Sequence, residues 1–263
     1  MLVAAAVCPH PPLLIPELAA GAAPELDDLR AHCDEAVRRL LASRPDVVVC
    51  VGASPTARRW GSSARGSFAP FGVDVRVGGE GAAMEPPLPL ALAVAAWLLD
   101  RAGYAGERCY EGVSQSWDPA RCRSHGARLA RVANRVGVLA MGDGSARRTT
   151  ASPGAYDPSA EEWDTQVAAL LATGDLAGLG ALRADDADAL LVAGRPAWQV
   201  LAGAAEGSDL EPTLLTHTAP YGVGYFVASW VSRDSSLPPP RARSLTTRAR
   251  RRRSSVPADG AWR

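Results

Sequence analysis

His10 stands between Pro9 and the pair Pro11-Pro12, at the end of an unbroken apolar run from Leu2 to Val7. Imidazole ligates metals and carries protons near neutral pH, so a histidine held at a defined place is a candidate for either task. The flanking prolines fix φ, keep the residues before them extended and deny a helix. The ring therefore sits on a stiff loop. A short apolar run stopped by turn residues reads as a buried strand, and open α/β sheets place their ligands at the carboxyl ends of such strands. The plainer alternative is a half-buried histidine whose ring nitrogens are satisfied by backbone groups.

Two further stretches hold polar residues where chemistry is placed. Val136 to Ser145 is an apolar run that enters a glycine-bracketed turn bearing Asp143 and Ser145. By itself that turn needs no more than an Asx-type hydrogen bond. Tyr221 and Tyr225 lie with Gly222 and Gly224 between them. Glycines there let the backbone approach a ligand closely, although tyrosines in a hairpin also serve as partly buried core. His32 and His125 fall on amphipathic helices, where packing accounts for both.

The elements that must position these residues follow an α/β pattern. A helix with Pro24 in its first turn presents Leu26, Leu29, Cys33, Val37, Leu40 and Leu41 on one face and ends near Ser43. Val47 to Gly52 is a second buried strand, so strand, helix and strand form a βαβ unit with parallel pairing. Ala53 to Pro70 reads as a long loop, and Gly72 to Gly78 alternates as a strand with one wet face. Leu90 onward is apolar all round, which predicts a deeply buried helix. Helices follow over about 119–132 and 160–174, then a shorter one ends near Leu182. The last, from Ala184, is interrupted around Gly194 and Pro196, with Asp185 or Asp186 as its cap. Thr213 to Trp230 reads as two strands of a hairpin joined at Ala219 to Gly222, with a single bent strand as the alternative.

Composition narrows the classes. The 263 residues suit one large α/β domain or two small ones, and 28 basic residues balance 28 acidic ones. The whole molecule thus makes no case for a nucleic-acid or membrane partner. Every basic residue is Arg, and many crowd the end of the chain. The five Cys are odd in number and form no CxxC, so neither a disulfide framework nor a zinc site follows. A reduced cytoplasmic protein without a signal peptide or membrane span is the expectation. Residues 234–263, with three consecutive prolines and a block of arginines, read as a disordered tail beyond a domain over 1–233. Such a tail offers at most weak contact with nucleic acid.

Three segments in order, VCPHPPLLIPEL, MGDGSARRTTASPGAYDP and APYGVGYFVASW, carry a family resemblance, supported by ELDDLRAHCDEAVRRLLASRPDVVVCVGA and WQVLAGAAEG between them. From about Met1 to Ser232 the chain resembles the subunit-B-like proteins of the class III extradiol ring-cleavage dioxygenases, in their actinobacterial branch of unknown function. The resemblance implies a three-layer α/β/α single domain with a mixed, mainly parallel sheet. Active members of that family bind non-haem Fe(II) through two histidines and a glutamate, a facial triad with open positions. They open a catecholic ring with dioxygen, and a further histidine serves as acid/base.

Carried over residue by residue, the resemblance is incomplete. His10 matches the first ligand. The second is expected after the second strand, where Gly52-Ala53-Ser54-Pro55-Thr56 contains no histidine. The acid/base histidine is expected after a GD-x-S turn; Asp143 and Ser145 match, but Ala146 holds its place. The glutamate is expected near APYGVGYF, where Thr216, His217 and Thr218 stand. One imidazole does not hold Fe(II) against water. The resemblance therefore implies a domain that keeps the fold and a pocket for an aromatic small molecule, formed by Pro55, Tyr221 and Tyr225, with most of the iron site gone. The rival expectation is a working oxidoreductase that cleaves an aromatic diol, its metal held by His10, His217 and Asp143, with His10, Asp143 and Ser145 as catalytic groups. A third is a nucleic-acid-associated protein acting through its basic tail.

Overall fold

The apolar runs become the inner strands of a seven-stranded sheet. In a computed structural model that describes residues 1–79 and 86–233, the chain begins with β1 (Leu2–Cys8), α1 (Pro16–Ala19), α2 (Asp27–Ala42) and β2 (Val47–Ala53). It continues through β3 (Arg58–Trp60), β4 (Arg65–Ser67), β5 (Arg76–Gly78), α3 (Leu90–Arg101), β6 (Arg108–Val113), α4 (Pro119–Leu129) and β7 (Val136–Met141). Four helices follow, α5 (Ala160–Thr173), α6 (Leu176–Gly180), α7 (Ala184–Ala189) and α8 (Arg195–Ala205), before the hairpin β8 (Leu210–Thr218) and β9 (Tyr225–Ser232). The tail expected over 234–263 lies outside the described residues.

Strand order across the sheet is β3-β6-β2-β7-β1-β9-β8. The inner four, β6, β2, β7 and β1, run parallel. The outer three run against their neighbours. Helices cover both faces, giving the α/β architecture with a mixed sheet that the sequence implied. Along β1 the alternation is plain: Ala5 and Val7 face the layer of α4, α5 and α8, while Ala4, Ala6 and Cys8 face α2 and α3. All seven residues of β1 are buried because the strand is covered on both sides. Among the described residues no helix is long and apolar enough to cross a membrane.

Several local expectations need correction. The strands of the βαβ unit are parallel, but β7 inserts between β1 and β2, so β1 and β2 are not neighbours. The stretch 53–70 contains two short strands, β3 and β4. Only Arg76–Gly78 of the segment 72–78 is a strand. Pro24 lies in a 3-10 segment ahead of α2, not in the first turn of that helix. Asp185 and Asp186 occupy the first turn of α7 and do not cap it.

Strand β6 has no counterpart in the sequence reading. Its central Glu111 breaks the apolar pattern, yet that side chain is buried. Its carboxylate pairs with Arg59 Nε at 3.2 Å, and His125 Nε2 lies 3.3 Å away.

Candidate functional site

Parallel pairing of β1 with β7 sets Cys8 beside Met141, so the loops after these strands leave the sheet side by side. Gly142 N–H donates to the Cys8 carbonyl at 2.9 Å and continues the ladder by one step. The next residues out are His10 and Asp143. His10 N–H donates to Asp143 Oδ1 at 2.7 Å, and the ring Nδ1 stands 3.6 Å from the same oxygen. Extended backbone at Pro11 (φ −62°, ψ 141°) and a turn closed from Leu14 N–H to the Pro11 carbonyl hold this loop. The prolines therefore act as the sequence required.

His10 is 8% exposed, and its Nδ1 is buried with no hydrogen-bond partner. Tyr225, the first residue of β9, is 2% exposed and belongs to the layer that contains Cys8 and Val227. Its hydroxyl makes no hydrogen bond among the described residues. Burial pushes the phenol pKa up, and the negative charges of Asp143 and Tyr221 push it the same way. Asp143 is itself raised above the usual aspartate value by burial, an effect opposed by His10 through its charge and its N–H. Below them the buried thiols of Cys8 and Cys33 meet, and that contact with burial pushes the Cys33 thiol up.

Ser145 does not join this group. Its N–H and hydroxyl both donate to the Asp164 carboxylate, each at 2.8 Å, and the residue is wholly buried. Arg148 Nη1 donates to the same carboxylate at 3.3 Å and Arg148 Nη2 pairs with Glu161 at 3.3 Å. The carboxylate also fills the space beside Gly144, where a Cβ would come within 2.7 Å of Asp164 Oδ1. Ser145 is thus a fastening for the loop that carries Asp143, with its hydroxyl already committed. Asp164 was missed from sequence. Its signal was a carboxylate on the face of α5 that buries Ala160, Val167, Ala168 and Leu171.

His217 is also placed elsewhere. Register between β8 and β9 sets it opposite Phe226, and the two rings stack at 4.8 Å between centroids, 27° apart. Phe226 packs edge-on against Trp198 in the layer of α5 and α8. The adjacent Tyr225 points to the other layer, as alternation along a strand demands. The charges felt by His217 are Asp164, Arg148 and Glu161, and burial lowers its pKa.

The set His10, His217 and Asp143 is therefore not assembled. Among the described residues no group of three or more His, Cys, Asp or Glu side chains is placed to hold a metal ion. Fe(II) in a facial triad needs three convergent donors. His10 and Asp143 supply two, and one Asp143 oxygen is already engaged by backbone. The residues present do not fit that centre.

The expected pocket residues divide. Tyr221 is half-buried, and its hydroxyl donates to Glu25 Oε2 at 2.9 Å, tying the β8–β9 corner to the segment before α2. Pro55 is exposed, while the neighbouring Ser54 is buried and donates to the Thr56 carbonyl at 2.8 Å. A groove of about 500 Å³ bordered by Met1, Ala130, Arg131, Gly203 and Ser208 lies at the amino-terminal end of β1 and takes no part in this arrangement.

No family model matches the sequence, and no curated protein matches it. Among solved structures, the chain is similar to the uncharacterized protein JW3007 from Escherichia coli K12. The likeness has a TM-score of 0.52 at 14% sequence identity, over 88% of this chain and 100% of that one. At that identity the likeness establishes the fold, an α/β domain built on a mixed sheet.

Proposed function

We propose that this chain is a divergent relative of the subunit-B-like class III extradiol dioxygenases in which the iron centre is largely lost and the His10 end of the sheet binds a small molecule. The observation that carries the reading is a buried, unpartnered imidazole nitrogen beside a carboxylate at the carboxyl ends of β1 and β7. His10 Nδ1 has no hydrogen bond and lies 3.6 Å from Asp143 Oδ1. A buried polar group without a partner costs about 1–3 kcal/mol. His10 Nδ1 is one of several such atoms among the described residues, and it is set apart by its place at the strand ends beside Asp143. A ligand bound there would supply the missing partner.

The rival reading, an iron enzyme rebuilt on His10, His217 and Asp143, finds no support in the placement of His217. Elemental analysis of untagged protein, with a screen of small aromatic fragments by NMR against wild type and His10→Ala, tests the proposal. The expected result is iron well below stoichiometric and fragment binding that disappears in the variant. Near-stoichiometric iron that is lost in His10→Ala overturns it.

A further inference from the structure

Asp143 and Tyr225 each adjoin a glycine in the chain, Gly144 and Gly224, and both glycines pack on one carboxylate, that of Asp164. A Cβ on Gly144 would come within 2.7 Å of Asp164 Oδ1, and a Cβ on Gly224 would collide with Oδ2. Asp164 stands on the buried face of α5, on the side of the sheet that Phe226 faces, whereas Tyr225 belongs to the layer of Cys8.

The two glycine stretches are also laced together. Gly144 N–H donates to the Gly224 carbonyl at 2.7 Å, and Gly224 N–H to the Ser145 carbonyl at 2.9 Å. Arg148 N–H adds a bond to the Gly222 carbonyl at 3.1 Å. Asp164 closes this crossing, since its two oxygens take the Ser145 N–H and hydroxyl. Wholly buried, the carboxylate is a wedge of fixed thickness between the loop after β7 and the corner before β9. A close-packed interior has no spare volume to absorb its removal, so displacement passes to its neighbours.

We infer that Asp164 is a positioning residue for the His10 site: from the far side of the sheet it sets where Asp143, and with it the His10 loop, stands relative to Tyr225. Its consequence for binding rests on reading the His10 end of the sheet as a small-molecule site.

The His10 amide proton, donated at 2.7 Å to the Asp143 carboxylate, is in a charge-assisted bond and resonates downfield. Its position in the NMR spectrum of the folded full chain reports that geometry and not stability. Asp164→Ala empties the wedge, and the His10 resonance is expected to move upfield while those of Ala5 and Val138, inside β1 and β7, stay in place. Asp164→Asn keeps the volume and an acceptor for the Ser145 N–H, and is expected to restore it. A fragment that binds wild type through His10 is expected to bind Asp164→Ala about tenfold or more weakly, the factor that one hydrogen bond to a charged group represents. A lower unfolding temperature with the His10 resonance unmoved overturns the inference. Should Asp164→Ala fail to fold, Gly224→Ala drives a Cβ against the carboxylate, and an unmoved His10 resonance there overturns it equally. If no fragment binds wild type through His10, the small-molecule reading falls, and the resonance still decides the role of Asp164.

Discussion

His10 and Asp143, 133 residues apart in sequence, are joined by backbone and not by side chain: the His10 N–H donates at 2.7 Å while its ring nitrogen stays 3.6 Å away and unbonded. The carboxylate therefore fixes the loop first and leaves the ring for something else. Replacing Asp143 by Ala strands the His10 N–H in a buried position. A destabilisation of about 1–3 kcal/mol follows, the cost of an orphaned buried donor. Asp143→Asn retains the acceptor and is expected to lose less. Urea unfolding of both variants checks the order, and an equal loss for the two would show that the bond matters little.

Asp164 carries more of the architecture than either residue. It receives Ser145 twice and Arg148 once, inside a wholly buried environment. Asp164→Ala leaves the Ser145 N–H and hydroxyl without their acceptor and Arg148 with Glu161 alone, and a loss of about 3 kcal/mol is expected, the low end for breaking a buried pair. Ser145→Ala removes a single hydroxyl donor and is expected to cost about 1 kcal/mol. Thermal unfolding separates the two. A Ser145→Ala variant as damaged as Asp164→Ala would contradict the assignment of Asp164 as the hub.

The buried aspartates set a direction for pH dependence. Burial raises Asp143 and Asp164 above the usual aspartate value of about 3.9. In the window between the unfolded and folded values the native state holds more protons, so their contribution to stability falls as pH rises through it. Glu35 runs the other way. Hydrogen bonds from Arg38 and Arg39 lower it to about 2, so its contribution is present above the unfolded glutamate value and lost as pH falls. The stability of Asp143→Asn relative to wild type is thus expected to improve from pH 4 upward. A difference independent of pH would show that Asp143 titrates alike in both states.

His217 offers a negative control. Its ring stacks on Phe226 and burial holds its pKa down. His217→Phe is therefore expected to keep stability within about 1.5 kcal/mol, the range of tolerated swaps of similar volume. Metal content and fragment binding at the His10 end are expected to be unchanged. A variant that lost either would return His217 to the site.

Much of this arrangement was legible in the residues. The runs Leu2–Val7, Val47–Gly52 and Val136–Met141 announced the inner strands because they are covered on both faces and have little polar content to confuse the pattern. Proline spacing announced a rigid His10, and alternation placed Cys8 opposite Val7. What sequence concealed was pairing at long range. Nothing local says that β7 lies between β1 and β2, and that fact brings His10 to Asp143. Strand β6 was hidden because the charge on Glu111 is met by Arg59, a residue remote in the chain. The roles of Ser145 and His217 depended on which side of the sheet each faces, and for His217 that was fixed by the irregularity between Leu214 and Thr216.

The side-by-side endings of β1 and β7 also limit what this chain can tolerate in evolution or engineering. Successive side chains on a strand point to opposite layers, so losing or gaining a single residue within Leu2–Cys8 or Val136–Met141 would exchange the two cores along the remainder of that strand. It would also carry one loop past the other by a full residue. Length in these two strands is therefore far less negotiable than the identity of any one of their small apolar residues.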